Sequence, residues 1–331
     1  MIALGIETSC DETCAAVVRD SRFVLSNIVA SSLRQHAAYG GVIPEIASRA
    51  HLESICPVVD AAMRKAAIKS RDLDVIAVTQ GPGLIGSLLV GVSFARALSL
   101  SWKLPLLGIN HIQAHLYAPF IEHEIFFPFV GLVVSGGHTS LYRVNALSRE
   151  EVLGSTRDDA AGEAFDKVAK ILGLGYPGGP AVEKMALKGH KAAYAFRCDC
   201  GSGLDFSFSG IKTAVLYKAR ELQKIYGKLS EQMIADLCAS FQEAVVSDLV
   251  SKSMKAAQHV RAKGLVVGGG VAFNGYLRNR LQAASREHNI KLYVAARDYC
   301  LDNAAMVASV GGRLFKSKRP KSSLRMDPLL G

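Results

Sequence analysis

The sequence lacks the cysteine patterns of a disulfide framework or a zinc finger. Its 331 residues contain seven cysteines, an odd number, and no two of them form a Cys-x-x-Cys pair. Neither Cys10 with Cys14 nor Cys198 with Cys200 has a partner pair at the spacing of structural zinc sites. We therefore expect free or buried thiols, as in a reducing compartment.

Long hydrophobic runs are also lacking, although half of the residues are hydrophobic. The best candidate, 84–100, is interrupted by Arg96 and by small polar residues, and it falls short of the ~20 apolar residues of a membrane helix. The first residues show no basic segment of the kind that opens a signal peptide. We expect a cytosolic chain, not held at a membrane, with a large core and two domains or lobes.

The first 150 residues lack a net charge, because 12 basic and 12 acidic residues balance there. Residues 151–331 contain 27 basic and 17 acidic residues and therefore carry all of the net charge of +10. This surplus culminates in Arg313, Lys316, Lys318, Arg319, Lys321 and Arg325. Such a surface suits the phosphate backbone of a nucleic acid, and a merely solvated tail is the alternative.

Two histidines four residues apart, His111 and His115, give a chemical signal. On a helix this spacing puts both imidazoles on one face, where they can hold two corners of a metal's coordination sphere. The alternative is one histidine that caps a turn and one that packs. Asp302 follows a predicted strand and is the natural third ligand, unless it caps the helix predicted from Asn303. The helix of a zinc protease would carry Glu directly after the first histidine as general base, but here that residue is Ile112.

The first hairpin of the sequence recurs 126 residues later. Residues 2–6 and 14–18 predict two strands around a polar turn, which offers hydroxyls and carboxylates to a phosphate or a phosphate-bound metal. Residues 3–18 align with 129–144 in their apolar pattern and share Gly5 with Gly131, Ser9 with Ser135, Thr13 with Thr139 and Val18 with Val144. A repeat of this length predicts two lobes of similar topology that face each other across a cleft.

Glycine-rich turns follow three predicted strands. In the turn 135–139, two glycines let a ligand approach the backbone closely, and a plain hairpin turn is the alternative. The triple glycine 268–270 with Asn274 indicates a nucleotide site, where the Asn274 side chain is available to hydrogen-bond a base or ribose. The GxGxxG at 81–86 does not lie on the first strand, and no acidic residue follows at the required distance, so it predicts only a tight turn.

The remaining pattern predicts the elements around these motifs. Helices are expected at 45–69, 84–101 and 163–172, strands at 74–79, 106–109 and 292–295, and one or two long helices at 230–263. The glycines and prolines of 173–180 are typical of a turn, so the next helix is expected to begin at Glu183.

The assembled motifs resemble those of the universal tRNA threonylcarbamoyltransferase family in its bacterial form, over nearly the whole chain. The segments are GIETSCDET (5–13), NHIQAH (110–115), VSGGHT (134–139), YPGGP (176–180), FSFSGIKT (206–213), VGGGVAFN (267–274) and CLDN (300–303). The resemblance implies an α/β chain of the actin/Hsp70/sugar-kinase (ASKHA) fold, with two lobes around a nucleotide cleft. We expect a first lobe at 1–108, to which residues from about 305 to 331 return, and a second lobe at 109–304 with the metal and nucleotide sites.

The resemblance also implies an activity, the transfer of an L-threonylcarbamoyl group from threonylcarbamoyl-AMP to N6 of adenosine 37 in tRNAs that read codons beginning with A. One divalent ion, Fe²⁺ or Zn²⁺, would be held by residues matching His111, His115 and Asp302. Adenine nucleotide (threonylcarbamoyl-AMP, with ATP or ADP possible as well) would contact Val134, Ser135, Gly136, Gly137, His138, Asp166, Gly179, Glu183 and Asn274. The implied partners are tRNA, a paralogous ASKHA subunit, a small P-loop ATPase and a separate synthase that supplies the donor.

The implied chemistry needs a poor nucleophile, the exocyclic amine of adenine, beside an activated carbamoyl carbon. Asp11 or Glu12, on the turn of the first hairpin, is a candidate to take the proton of that amine, unless these carboxylates orient water or a metal-bound histidine. Two other classes of function stay open: a phosphotransferase of the same fold, which has no use for a metal-binding histidine pair, and a non-catalytic scaffold.

Overall fold

The computed structural model describes residues 1–36 and 39–317 of the chain. The strands are β1 (Ile2–Glu7), β2 (Glu12–Arg19), β3 (Phe23–Ser31), β4 (Val75–Gly81), β5 (Leu106–Asn110), β6 (Phe129–Val134), β7 (Thr139–Ala146), β8 (Arg149–Ser155), β9 (Gly264–Gly268) and β10 (Lys291–Val294). The α-helices are α1 (Leu33–His36), α2 (Pro44–Ala66), α3 (Ile85–Trp102), α4 (His111–Tyr117), α5 (Ala161–Leu172), α6 (Gly178–Ala186), α7 (Ser209–Tyr226), α8 (Glu231–His259), α9 (Gly275–Glu287), α10 (Arg297–Cys300) and α11 (Ala304–Lys316).

The chain forms two compact units. The first unit consists of Met1–Ile125 together with the chain from Ala295 on, and the second unit is Phe126–Val294. These boundaries differ from the expected lobes 1–108 and 109–304. The histidine helix α4 and Asp302 belong to the first unit, because α4 packs against α11.

Each unit is built around one five-stranded mixed sheet, and the two sheets have the same topology. In the first unit the order is β3-β2-β1-β4-β5, with β2 antiparallel to β1 and β3 and with β4 parallel to β1 and β5. In the second unit the order is β10-β9-β6-β7-β8, with β7 antiparallel to β6 and β8 and with β9 parallel to β6 and β10. The predicted α/β class with repeated topology is therefore confirmed.

The repeat extends to the register of the strands. Ala3 pairs with Val18 in the first hairpin, and Phe129 pairs with Val144 in the hairpin β6–β7. Both pairs are related by the offset of 126 residues found in the sequence. Register is fixed wherever the faces of a sheet are buried, because a slip of one residue would turn every side chain to the other face.

The two faces of the first sheet are covered by different helices. Leu4 and Ile6 belong to a hydrophobic cluster with residues of α2 and α3, such as Val58 and Val92. Gly5 points the other way, because a Cβ there would meet the backbone of α11. Successive residues of a strand point to opposite faces. Glu7, two residues after Gly5, therefore faces the side of α11.

Helix α3 is long and apolar enough to cross a membrane by length and composition alone, which departs from the expectation that no run comes close. The core helix of a folded domain passes the same test. Here α3 packs on α2 and β4, and Leu88, Val92 and Ala95 are buried in the core of the first unit. These contacts account for one face of the helix, whereas Ile85, Leu89 and Leu100 are 47%, 48% and 63% exposed.

The structure corrects one predicted boundary and adds elements that periodicity did not show. Helix α6 begins at Gly178, inside the expected turn, and not at Glu183. Pro180 lies in its first turn, where a proline costs no hydrogen bond. Strands β3 and β8 and helix α7 were not predicted, and residues 231–259 form one helix.

Replacing Gly5 by alanine is expected to destabilise the first unit. The new Cβ would lie 2.3 Å from the carbonyl oxygen of Ala304 and 2.7 Å from the backbone nitrogen of Ala308. Extra volume in a close-packed interior should lower the free energy of unfolding by about 1–3 kcal/mol. Urea unfolding of the variant and of wild type would measure this difference.

Gly210→Ala is the matched control, because nothing lies within 4 Å of the Cβ it would add to the first turn of α7. Alanine is favoured over glycine inside a helix by about 0.5–1 kcal/mol. Equal stability of the two variants would contradict the close crossing of β1 and α11.

Candidate metal centre

The site of the first unit lies where three neighbouring parallel strands end. Strand β1 ends at Glu7, β4 contributes Thr79 near its end, and β5 ends at Asn110, directly before His111. Because the carboxyl ends of parallel strands meet at one edge of a sheet, polar side chains that follow them converge there. The topology therefore brings together residues that are up to 104 positions apart in the chain.

Helix α4 presents the two histidines side by side. The Asn110 side chain caps the helix by accepting a hydrogen bond from the backbone N–H of Gln113, at 3.1 Å. His111 and His115 are both buried, and their ring centroids lie 4.6 Å apart. The spacing in the sequence thus produces a pair of imidazoles on one helix face.

Asp302 reaches this pair from the other end of the chain. Its Oδ1 lies 3.1 Å from His115 Nε2 and 3.5 Å from His111 Nε2. Asp302 does not cap α11, because the Asn303 side chain accepts the capping hydrogen bond from Met306 N–H. Its side chain is 21% exposed, so this corner of the cluster faces solvent.

The geometry and chemistry of these residues fit a metal ion. The donor atoms of His111, His115 and Asp302 lie within 4.8 Å of one another. Ligands about 2.0–2.2 Å from one ion, at right or tetrahedral angles, are roughly 3–3.5 Å apart, which matches both His–Asp distances. When a neutral His111 donates its one proton from Nδ1 to Glu7, its Nε2 is a bare acceptor that faces Asp302 Oδ1. Two acceptors then face each other unless a cation lies between them.

Glu7 supports His111 from behind. Its Oε2 lies 3.1 Å from His111 Nδ1 and accepts a hydrogen bond of 2.5 Å from Thr79 Oγ1. Its Oε1 accepts from the backbone N–H of Ser9, also at 2.5 Å. Because a carboxylate only accepts, this contact is a hydrogen bond when His111 donates from Nδ1. Metal-bound histidines commonly have such a carboxylate partner on the second ring nitrogen.

The protonation equilibria of this site reflect the crowding of carboxylates. Burial alone would lower the pKa of His111, but the negative charges of Asp302 and Glu7 raise the pKa to about 9. Burial lowers the pKa of His115, and its neighbour His111 adds to this shift. Burial raises the pKa of Glu12 to about 9, with further repulsion from Asp302 and Asp11. A bound cation would relieve the same repulsion that otherwise holds a proton on His111.

The two candidate bases lie on the hairpin turn beside this cluster. Asp11 is 8% exposed, and its backbone oxygen accepts hydrogen bonds from Ser32 N–H and Ser32 Oγ. Glu12 opens β2 and accepts from Ser31 Oγ at 3.1 Å. The turn itself is fixed by the buried His51, which contacts Thr13 Oγ1 and the backbone oxygen of Cys10.

Sequence reasoning missed Glu7, Thr79, Ser9 and His51 as parts of this site. One signal was available for Glu7, because it is a carboxylate that directly follows the apolar run 2–6 of a predicted strand. A buried carboxylate must be paired or hydrogen-bonded, so it marks a site. Nothing local in the sequence identifies the partner that lies 104 residues away.

The predicted nucleotide residues lie in the second unit. Val134 ends β6, and the turn after it is closed by the hydrogen bond from Ser135 N–H to the oxygen of His138. A Cβ on Gly136 or Gly137 would meet nothing within 4 Å. The packing of the chain therefore does not demand glycine at either position, and close approach of a ligand stays the predicted reason for both.

The other four predicted nucleotide residues surround the start of α6 and the start of α9. Asp166 Oδ1 accepts from Gly178 N–H at 2.8 Å, and Glu183 Oε1 accepts from Gly275 N–H at 2.7 Å. A Cβ on Gly179 would meet nothing within 4 Å.

Asn274 is engaged within the chain. Its side chain caps α9 by accepting from Leu277 N–H and donates to Gln242. One N–H and one lone pair of the amide are not used by these two contacts, so the side chain can still hydrogen-bond a ligand.

The basic residues predicted to meet nucleic acid fall into two groups. Arg313 donates to the backbone oxygen of Phe120, and Lys316 pairs with Asp20 at 2.9 Å, so both are used within the first unit. Lys318, Arg319, Lys321 and Arg325 lie outside the described residues.

Removing one ligand is expected to abolish tight metal binding. His111→Ala and His115→Ala should each weaken Zn²⁺ affinity by more than the ~10–100-fold cost of losing an outer partner of a metal ligand, measured by competition with a chromophoric chelator. His259→Ala, at the exposed end of α8, should bind as wild type does. Affinity unchanged in all three variants would mean that zinc binds elsewhere.

Comparison with known structures shows the fold. The chain superposes on HypF of T. kodakarensis with a TM-score of 0.66 at 16% identity, over 98% of this chain and 48% of the HypF chain. Over 96% of this chain and all of the other, it superposes on the ROK hexokinase of Thermus thermophilus with a TM-score of 0.52 at 14% identity. The chain spans about half the length of the HypF chain that it matches. The predicted ASKHA fold is therefore confirmed.

Comparison of sequences shows the family. The profile described as tRNA N6-adenosine threonylcarbamoyltransferase matches residues 23–309. Proteins of that name are 50% identical in Geobacter metallireducens, over 100% of this chain and 96% of the relative, and 51% identical in Caldicellulosiruptor saccharolyticus, over 100% and 98%. The chain belongs to the tRNA N6-adenosine threonylcarbamoyltransferase family.

Proposed function

We propose that this chain transfers the L-threonylcarbamoyl group from threonylcarbamoyl-AMP to N6 of adenosine 37 in tRNAs that read codons beginning with A. The observation that carries the proposal is an identity of 50% and 51% over 96% and 98% of two relatives named for this transfer. The cluster of His111, His115 and Asp302 supports it from the side of chemistry.

The reaction is limited by its nucleophile. The lone pair of the exocyclic amine is delocalised into the adenine ring, whereas the carbamoyl carbon of the donor is already activated by AMP as leaving group. The protein therefore has to position the amine and stabilise the charge that develops on the carbamoyl oxygen and the departing phosphate. Since the anticodon loop is single-stranded, the target base can be reached without opening a duplex.

His111, His115 and Asp302 are the residues that would hold one divalent ion. When bound, such an ion supplies a Lewis acid and a template for oxygen groups of the donor. Two histidines and one carboxylate are a donor set that both Zn²⁺ and Fe²⁺ accept. The partial exposure of Asp302 leaves one side of the cluster open toward a substrate.

Asp11 and Glu12 are the candidates for receiving the proton of the amine. Asp11 lies in the turn between β1 and β2, and Glu12 opens β2, next to the ligands in the first unit. Cys14 on β2 reaches the backbone oxygen of Asp302. The raised pKa of Glu12, caused by burial and by the neighbouring carboxylates, makes it protonated at neutral pH in the absence of a cation. We take Asp11 as the base to be tested first and keep Glu12 as the alternative.

The adenine nucleotide is proposed to contact the second unit at Val134, Ser135, Gly136, Gly137, His138, Asp166, Gly179, Glu183 and Asn274. The open space beside Gly136 and Gly137 supports a close approach to the backbone of this turn. Helix α5 begins against the turn, since Gly162 N–H donates to Ser135 oxygen, and the N-terminus of a helix favours a phosphate.

The proposed partners are tRNA, a paralogous subunit of the same fold, a small P-loop ATPase and a synthase that makes the adenylate. A cytosolic location is proposed as well. It is supported by the seven cysteines, all of which lie in the described residues and are free.

The transfer is tested by mixing the protein, its proposed partners, threonylcarbamoyl-AMP and unmodified tRNA, and analysing nucleosides by mass spectrometry. Threonylcarbamoyl-adenosine is the expected product, and His111→Ala should reduce its formation far more than His259→Ala. A complete mixture that forms none of it would overturn the proposal and favour a scaffold.

Asp11→Asn is expected to lower turnover by about 10²–10⁴-fold, the usual contribution of a general base, while zinc affinity stays near that of wild type. Glu12→Gln, which imitates the protonated form, should change turnover much less. If Glu12→Gln causes the large loss of turnover and Asp11→Asn the small one, Glu12 is the base. Full turnover in both would remove the hairpin turn from the proton transfer.

A further inference from the structure

Glu7 is a buried carboxylate that no step above uses. Its side chain is completely inaccessible to solvent, at the end of β1. Burying an ion is unfavourable unless hydrogen bonds or an opposite charge replace its contacts with water, so a carboxylate in this position needs hydrogen-bond donors around it. Three donors from three different parts of the first unit supply them: Ser9 N–H, Thr79 Oγ1 and His111 Nδ1.

We propose that Glu7 is a positioning residue, whose carboxylate holds the proton of His111 on Nδ1 and so presents Nε2 to the metal. The geometry separates the two ring nitrogens: Nδ1 lies 3.1 Å from Glu7 Oε2, and Nε2 lies 3.5 Å from Asp302 Oδ1. A histidine that donates from one nitrogen to a carboxylate coordinates through the other, as a stronger and better oriented ligand.

Glutamine cannot replace glutamate here without loss. Oε1 accepts from Ser9, and Oε2 accepts from Thr79 and His111, so both terminal atoms face donors. An amide offers one acceptor and one NH₂ group. In either orientation the NH₂ group would face an N–H or O–H donor, and if it faces His111, the proton would be driven from Nδ1 to Nε2.

The two histidines differ in this respect. His115 Nδ1 is buried and has no hydrogen-bond partner among the described residues. Among the described residues, only His111 therefore has a hydrogen-bond partner on the ring nitrogen that faces away from Asp302. Ser9 Oγ also lies 3.1 Å from His111 Nδ1, so the hydroxyl is the competing anchor that an experiment must separate from Glu7.

The direct test is a long-range ¹H–¹⁵N spectrum of the imidazoles in zinc-loaded protein with ¹⁵N-labelled histidine. His111 should carry its proton on Nδ1 and zinc on Nε2. Zinc on Nδ1 of His111 would overturn the proposal, and this readout needs no variant in the core of the protein.

Zinc affinity measured by chelator competition gives the second readout. Glu7→Gln should weaken binding by about 10–100-fold, whereas Ser9→Ala should change it by less than about tenfold, since the carboxylate still holds the ring. The reverse order would assign the anchor to Ser9, and wild-type affinity in Glu7→Gln would remove any role for Glu7. If Glu7→Gln does not fold, Glu7→Asp replaces it, because the shorter carboxylate should lose the contact with His111 and part of the affinity.

This inference rests on the proposed metal site, and the two fail differently. If the wild-type protein binds no zinc at the histidine pair, the site itself is wrong. If wild type binds zinc there and Glu7→Gln binds it equally well, only the role of Glu7 is wrong.

Discussion

The crossing of α11 over β1 at Gly5 is the contact on which the site of the first unit depends. Because Gly5 has no side chain, the backbone of Ala304 and Ala308 can approach the sheet closely. Helix α11 also packs on β4 and α4. This packing fixes the start of α11, and Asn303 caps that start, so Asp302 is held one residue before it, beside the histidines. This crossing therefore helps to place the third candidate ligand.

The second constraint is electrostatic. Glu7, Asp11, Glu12 and Asp302 gather at one end of the first sheet, and two of them raise the pKa of His111 although burial opposes this. Like charges in a poorly hydrated place are unfavourable unless positive charge balances them. A protonated His111 or a bound cation can supply that charge. Binding of a cation would therefore replace the proton on His111 in balancing these carboxylates.

Local patterns in the sequence were sufficient for much of this. The spacing of His111 and His115 predicted one helix face, and the recurrence at offset 126 predicted the same hairpin at the start of each half, which the structure shows with a shared register. Asp302 was identified from its place after a strand and next to a helix start. Each of these inferences needs only the periodicity of one element, the order of neighbouring elements or the likeness of two segments of the chain.

What the sequence did not predict depends on contacts between distant parts of the chain. The bond between Glu7 and His111 joins positions 104 residues apart, and no periodicity reports it. The lobe boundary was misplaced because α4 joins the first unit through its packing on α11, near the end of the chain. Strand β3 was missed because it is a half-exposed edge strand whose apolar residues are interrupted by Ser26 and Asn27.

The central claim is that His111, His115 and Asp302 hold one ion together. Crystals of the zinc-loaded protein, measured on both sides of the zinc absorption edge, test it most directly. The account predicts an anomalous peak about 2.0–2.2 Å from Nε2 of both histidines and from a carboxylate oxygen of Asp302. A peak elsewhere, or one whose coordination sphere omits any of the three residues, would contradict it.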